Sequence, residues 1–81
     1  MMTADQKKAL EAMLNNIDKR IDRYWDKLSE ADTRGDVETA MEYNYKIDSA
    51  EERIDGIIDT LEVFGYQVKN KERKYIVLDH P

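Results

Sequence analysis

The fold is decided by residues 10–31, LEAMLNNIDKRIDRYWDKLSEA, in which apolar residues recur in alternating steps of four and three. Residues 40–64, AMEYNYKIDSAEERIDGIIDTLEVF, repeat this pattern. The recurring positions are Leu10, Leu14, Ile17, Ile21, Tyr24, Leu28 and Ala31, then Ala40, Tyr43, Ile47, Ala50, Ile54, Ile57, Leu61 and Phe64. An apolar repeat of seven residues, held for about three heptads, is typical of helices that pack along a narrow seam. The sequence therefore predicts two coiled-coil-like helices that bury this seam against each other.

Local signals place the ends of the first helix. Thr3 suits an N-cap, and Gln6 three residues later completes a capping-box pattern. Gly35 can adopt the left-handed conformation that ends a helix, and Asp36 can cap the next one. We therefore predict a helix over residues 3–33. The connection that follows is so short that the second helix must fold back antiparallel.

The second helix is predicted over residues 36–64. In an antiparallel hairpin, residues whose numbers sum to about 70 lie opposite each other, so Leu14 is expected near Ile54. Gly56 lies inside this helix, at a cost of about 1 kcal/mol relative to alanine. This glycine indicates either a close approach by another backbone or no special role.

The character of the chain changes after the second helix. Residues 66–69 alternate in polarity, residues 74–78 are rich in β-prone side chains, and residues 70–72 have the composition of a turn. We predict a short β-hairpin over residues 66–78. An isolated two-stranded hairpin is hardly stable in water, so it must pack on the helices or pair with a second copy.

Apolar residues outside the seam favour assembly. Val37, Met41 and Tyr45 form a stripe on the second helix, and Trp25 flanks the seam of the first helix near the same end of the molecule. One interpretation is that these side chains only cover the edges of the seam. The other, which we favour, is a second buried face, so that two hairpins form a four-helix bundle.

The charges beside the seam favour the same interpretation. In an antiparallel pair Arg20 and Lys27 would face Lys46 and Arg53, and Asp18 would face Glu51, so residues of like charge meet. Carboxylates from a neighbouring chain would neutralise these cations, although surface ion pairs contribute at most about 1 kcal/mol each.

Composition sets the class of protein. The chain has 81 residues, no cysteine and a net charge of −5, and residues 1–81 are expected to form a single domain. The amino end lacks the apolar run of a secretory signal, and no stretch approaches the length of a membrane span. Absence of cysteine excludes disulfides and thiolate zinc sites. We expect a cytoplasmic protein with no membrane association.

The sequence offers no recognisable catalytic, cofactor-binding or metal site. Asp18, Asp22 and Asp26 recur every fourth residue, but di-iron bundles also need histidines that point into the core, and His80, near the chain end, is the only histidine. The chain also lacks a nucleophile–base pair and a glycine-rich phosphate loop. We predict that it is not an enzyme and holds no cofactor or metal.

The basic C-terminal hairpin is the best functional candidate in the sequence. Residues 66–81 carry four basic residues against two acidic ones, whereas residues 1–65 carry nine against 16. The basic residues are Lys69, Lys71, Arg73 and Lys74. A positive β-ribbon can contact nucleic-acid phosphates or an acidic protein, but lysines also protect exposed strand edges from aggregation. Edge protection is the interpretation that we favour.

The sequence thus predicts a mainly α protein. It comprises a long antiparallel two-helix hairpin and a short β-hairpin, assembled into a homodimer or tetramer. The expected function is non-catalytic, through protein–protein interaction or self-assembly, with Trp25, Val37, Met41 and Tyr45 as candidate interface residues. The alternative is a small accessory nucleic-acid-binding protein that uses the basic hairpin.

Overall fold

The computed structural model of the chain describes residues 2–79. It contains two long helices, α1 (Ala4–Arg34) and α2 (Val37–Val63), followed by two strands, β1 (Tyr66–Lys71) and β2 (Lys74–Asp79). The helices form an antiparallel hairpin and the strands an antiparallel two-stranded sheet, within an outline of 49 × 21 × 17 Å. The predicted pair of long helices and the C-terminal β-hairpin are therefore confirmed.

The helix ends follow the local signals in the sequence. The Gln6 N–H donates to the Thr3 hydroxyl at 3.1 Å, and the Thr3 N–H donates to the Gln6 side-chain oxygen at 2.9 Å. Gly35 has the left-handed φ of 72°, and its N–H donates to the Asp32 carbonyl at 3.1 Å. These bonds satisfy terminal backbone groups that would otherwise lack helical partners.

Asp36 is the N-cap of α2, and its carboxylate accepts two hydrogen bonds from Thr39. The Thr39 hydroxyl donates to one Asp36 carboxylate oxygen at 2.7 Å, and the Thr39 backbone N–H donates to the other at 3.2 Å. These two bonds, followed by the charge of Arg34, hold the pKa of the Asp36 carboxyl below its usual value of 3.8. The helix N-terminus is therefore capped by an ionised carboxylate.

The seam forms the core, which has two parts. The larger cluster of buried side chains comprises Leu14, Ile17, Ile21, Ile47, Ile54, Leu61 and Val77. The smaller one, next to the helical turn, comprises Leu28, Ala31 and Ala40, with Tyr43 packed against them. Leu14 and Ile54 share a cluster, as the antiparallel pairing predicts. Val77 is the contribution of the β-hairpin, which packs on the helices of its own chain.

The turn of the β-hairpin lies at residues 72–73, whereas the sequence predicts it at residues 70–72. Lys71 pairs with Lys74, so Glu72 and Arg73 form a two-residue loop. Both have positive φ, 52° and 66°, as a type I′ turn requires. Neither residue is a type that favours this conformation, so residue type alone does not predict the position of this turn.

Side chains of α1 hold the outer edge of β2. The Tyr75 N–H donates to the Asn15 side-chain oxygen at 2.7 Å, and the Val77 N–H donates to the Glu11 carboxylate at 2.8 Å. Tyr75 and Val77 alternate along the strand, so the backbone groups of both point away from β1. The side chains of α1 therefore take the place of a third strand along this edge.

Candidate interaction surfaces

The two sides of the helical seam differ in what covers them. On α1, Glu11, Asn15 and Asp22 all contact the β-hairpin and lie on one side of the seam. Arg20 lies on the other side, because two residues correspond to about 200° around a helix from Asp22. The β-hairpin thus covers one side of the helical pair near the chain ends, and the other side is open.

The open side carries a groove that we call the basic groove. It is lined by Ile17, Arg20, Tyr24, Tyr45, Lys46, Ser49, Ala50 and Arg53. The Lys46 ammonium lies 4.8 Å from the ring centre of Tyr43 and 5.9 Å from that of Tyr24, within range of a cation–π interaction. The two rings are 6.0 Å apart. Cations and aromatic rings therefore meet over an apolar floor.

The cations of the basic groove are poorly neutralised. Lys46 forms an i,i+4 ion pair with Glu42 at 3.4 Å. Arg20 and Arg53 have no ion-pair partner within residues 2–79. The expected meeting of Arg20 with Lys46 and Arg53 is thus present in the structure. Lys27, the fourth cation of that expectation, instead lies 3.6 Å from Glu30 on its own helix.

The basic groove continues into a second one, the apolar groove. It is lined by Leu10, Arg53, Gly56, Ile57, Thr60 and Leu61, so Arg53 belongs to both. A Cβ added to Gly56 would meet no atom within 4 Å. Within residues 2–79, therefore, no other backbone makes the close approach that a glycine inside a helix can permit.

An acidic groove lies on the hairpin side of the seam. It is lined by Asp18, Ile21, Glu51, Ile54, Asp55 and Tyr75. Burial raises the pKa of the Tyr75 hydroxyl above its usual value of 10.0, and the charges of Asp18, Asp55 and Glu51 raise it further, against a hydrogen bond from Asn70 that lowers it. The two sides of the helical hairpin are therefore opposite in charge at mid-length.

The candidate interface residues lie around the helical turn, and we call them the turn-end patch. The side chains of Trp25, Val37, Met41 and Tyr45 are 48%, 67%, 66% and 74% exposed. Trp25 lies seven residues after Asp18 and so on the hairpin side of α1, beyond the hairpin tip. Tyr45 lines the basic groove instead. The patch thus wraps around the end of the molecule and does not form one flat face.

The four basic residues of the β-hairpin do not form one cluster. Lys69 pairs with Ile76, and Lys71 with Lys74, in positions that alternate with the helix-facing residues Val68 and Val77. Alternation places Lys69, Lys71 and Lys74 on the outward face. Arg73 turns back to α1, where its guanidinium donates to both Asp22 carboxylate oxygens at 2.8 and 2.9 Å. The three lysines therefore share the outward face, and Arg73 is bound to Asp22 although its side chain is 76% exposed.

Two features of the surface were not anticipated from the sequence. One is the apolar groove itself, because Leu10 and Ile57 were expected to be seam residues only. The other is exposure at the opposite end from the turn, where Val63 and Phe64 are 82% and 73% exposed. Phe64 continues the heptad pattern, but α2 ends before it, so its ring lies outside the seam.

The acidic side chains of the described surface are its candidate metal ligands. Within residues 2–79 no group of three or more acidic or histidine side chains is arranged to hold a metal ion, and His80 lies outside the described residues.

Neither described helix has a segment that is both long enough and apolar enough to cross a bilayer. Comparison of the chain with protein-family models, with curated proteins and with solved structures finds no match.

Proposed function

We propose that this protein acts without catalysis, as a helical-hairpin interaction protein that self-associates through the turn-end patch into a four-helix bundle. The observation that carries this proposal is the exposure of Val37, Met41 and Tyr45, each more than 60%, on one stripe of α2. Trp25, at 48% exposure, adds the largest side chain of the chain to the same end. A second hairpin docked against this stripe of α2 would remove Val37, Met41 and Tyr45 from water.

The magnitude of the apolar exposure supports association. Burying a large apolar side chain contributes about 1.5–3 kcal/mol. The three stripe residues from each of two subunits are of the order needed to offset the loss of translational and rotational freedom, about 4–15 kcal/mol. The hydrophobic core of the monomer is small, since it comprises ten buried hydrophobic residues within residues 2–79. Small domains of this kind commonly gain stability by oligomerisation.

Sedimentation velocity at micromolar concentration tests the proposal. We expect a dimer or tetramer of the 9.6 kDa chain, which the double substitution Trp25→Ala, Met41→Gln converts to a monomer. The matched control is Val63→Gln, which removes an apolar side chain that is 82% exposed at the other end and should leave the assembly intact. A wild-type protein that sediments as a monomer would contradict self-association.

A second candidate function rests on the outward lysines of the β-hairpin. Lys69, Lys71 and Lys74 project from one face of a two-stranded ribbon, which could follow a phosphate backbone. We expect any such binding to weaken with salt and to disappear when all three become glutamine. Arg73→Gln is the contrasting variant, because Arg73 is paired with Asp22 and should contribute less. A mobility shift that is indifferent to the triple substitution would exclude this function for the hairpin.

A further inference from the structure

We infer that the basic groove and the apolar groove together form a docking site for an acidic amphipathic helix of a partner protein. This inference goes beyond self-association, and it concerns a surface that shares only Tyr45 with the turn-end patch. The two grooves are joined through Arg53, which lines both. We refer to them jointly as the open groove.

The shape of the open groove suits a helix. Its floor is apolar, formed by Leu10, Ile17, Ala50 and Ile57, and it runs between two antiparallel helices. On α2 it extends from Tyr45 to Leu61, which at 1.5 Å per residue is roughly 24 Å. A partner helix of about four turns would match this length. Helices bind such grooves through apolar anchors spaced three and four residues apart.

The charge of the groove selects an acidic partner. Arg20, Lys46 and Arg53 line it in a chain whose net charge is −5, and the two arginines have no carboxylate partner within residues 2–79. Glu42 partly balances the charge of Lys46, whereas two arginines without a carboxylate partner over an apolar floor are unfavourable in the isolated chain. Glutamates or aspartates that flank the apolar anchors of a partner helix would reverse this effect and orient the partner.

Gly56 supports a close approach at the apolar end. A glycine inside a helix lowers helix stability by about 1 kcal/mol relative to alanine, and no atom of the described part of the chain lies within 4 Å of a Cβ built at Gly56. Gly56 lines the groove beside Ile57 and Thr60, and because it has no side chain, the groove is lined there by backbone alone. The backbone of a docked helix could therefore come nearer to α2 at Gly56 than at a residue with a side chain.

A second copy of the chain fits the open groove less well. In a two-fold symmetric contact each surface meets itself, so Arg20 and Arg53 of one copy would approach the same cations of the other. Like charges brought together in this way are unfavourable. An acidic helix of a different protein has no such conflict.

Fluorescence anisotropy with a designed peptide tests the inference. The probe is a labelled three-heptad helix with leucine at the a and d positions and glutamate beside them. Its first control replaces every glutamate with lysine, and its second has the same composition in scrambled order, so that the leucines no longer share a face. We expect the protein to bind the glutamate peptide at least roughly tenfold more tightly than either control, with a marked salt dependence.

Variants of the protein locate the site. Arg20→Glu and Arg53→Glu should each weaken binding of the glutamate peptide about tenfold, and Gly56→Leu should weaken it without changing the helix content. The matched control is Lys19→Glu, which makes the same charge change next to Arg20 but on a residue that does not line the open groove. The control should bind the peptide nearly as well as the wild type.

Several results would overturn the inference. Equal binding of the scrambled peptide would show attraction by charge alone, and equal effects of Arg20→Glu and Lys19→Glu would place the peptide elsewhere. Self-association that is abolished by Arg53→Glu but kept in Trp25→Ala, Met41→Gln would assign the open groove to a second copy. Peptide binding that survives in a monomeric Trp25→Ala, Met41→Gln variant would support the inference independently of the proposed self-association.

Discussion

The backbone N–H of Tyr75 donates a 2.7 Å hydrogen bond to the side-chain oxygen of Asn15, a residue 60 positions earlier in the chain. The Asn15 amide in turn lies 3.5 Å from the Tyr75 carbonyl oxygen. The Asn15 side chain therefore pairs with both the backbone N–H and the backbone carbonyl of Tyr75. This bond anchors the middle of β2 on α1, between the ion pairs Lys7–Asp79 and Arg73–Asp22.

We predict that Asn15→Ala destabilises the β-hairpin. The substitution leaves the partly buried N–H of Tyr75 without a partner, which costs about 1 kcal/mol or more. Hydrogen exchange should show lost protection at Tyr75 and Val77, with little change in α2. Asn16→Ala is the matched control, because Asn16 is exposed and has no comparable bond to the strand. Equal loss of protection in both variants would contradict the anchoring role.

The seam predicts a large effect at its most buried position. Leu14 has no exposed surface, so Leu14→Ala should lower the free energy of unfolding by about 2–5 kcal/mol through lost burial and the cavity left behind. Urea denaturation followed by circular dichroism measures this change. Met13→Ala, one residue away and 42% exposed in the wild type, should have a much smaller effect. Comparable losses would show that the seam is placed wrongly.

The type I′ turn predicts a stabilising substitution. Glu72 is held at a φ of 52°, and asparagine tolerates this conformation better than glutamate. Glu72→Asn should raise the free energy of unfolding by about 0.5 kcal/mol and the melting temperature by about 2–4 °C. Glu72→Ala, which also removes the carboxylate but lacks the tolerance of asparagine, should not. A gain shared by both variants would point to charge as the cause and would rule out backbone conformation.

The cap of α2 predicts a pH dependence at acid pH. The pKa of Asp36 is lowered in the folded protein, so its ionised form is favoured by folding and its contribution to stability is present above the usual value of 3.8. This contribution is lost as the pH falls below 3.8 and through the folded-state pKa. The stability difference between the wild type and Asp36→Ala should therefore narrow on acidification. Urea midpoints across this range measure it, and a difference that is constant with pH would contradict the role of the charged cap.

Much of the fold could be predicted from the sequence because its causes are local. The spacing of the seam residues, the Thr3 cap and the Gly35–Asp36 break each act over one or two helical turns. The grouping of Arg20 with Lys46 and Arg53 was also predictable, since it follows from the heptad pattern and the antiparallel direction of α2. The site that these cations form was less evident, because its floor depends on which seam residues remain uncovered.

The turn of the β-hairpin and its docking could not be predicted in the same way. Asn15 and Glu11 have the appearance of ordinary surface residues of an amphipathic helix, and only the position of β2 makes them hydrogen-bond acceptors for a strand. Glu72 and Arg73 are not residue types that favour positive φ, and the strand pairing imposes their positive φ values. The docking depends on contacts between residues about 60 positions apart, and the turn depends on how residues 66–71 pair with residues 74–79.

The sequence by itself therefore determined the two helices, their antiparallel direction and the charges on each side of their seam. The reason is that helix periodicity and capping are properties of neighbouring residues. Only the tertiary structure decided which side of the seam is covered. The β-hairpin packs on the side of Glu11 and Asn15, where its backbone finds acceptors and Val77 enters the core. The side of Arg20 and Arg53 is left open, since no other described element of the chain covers it.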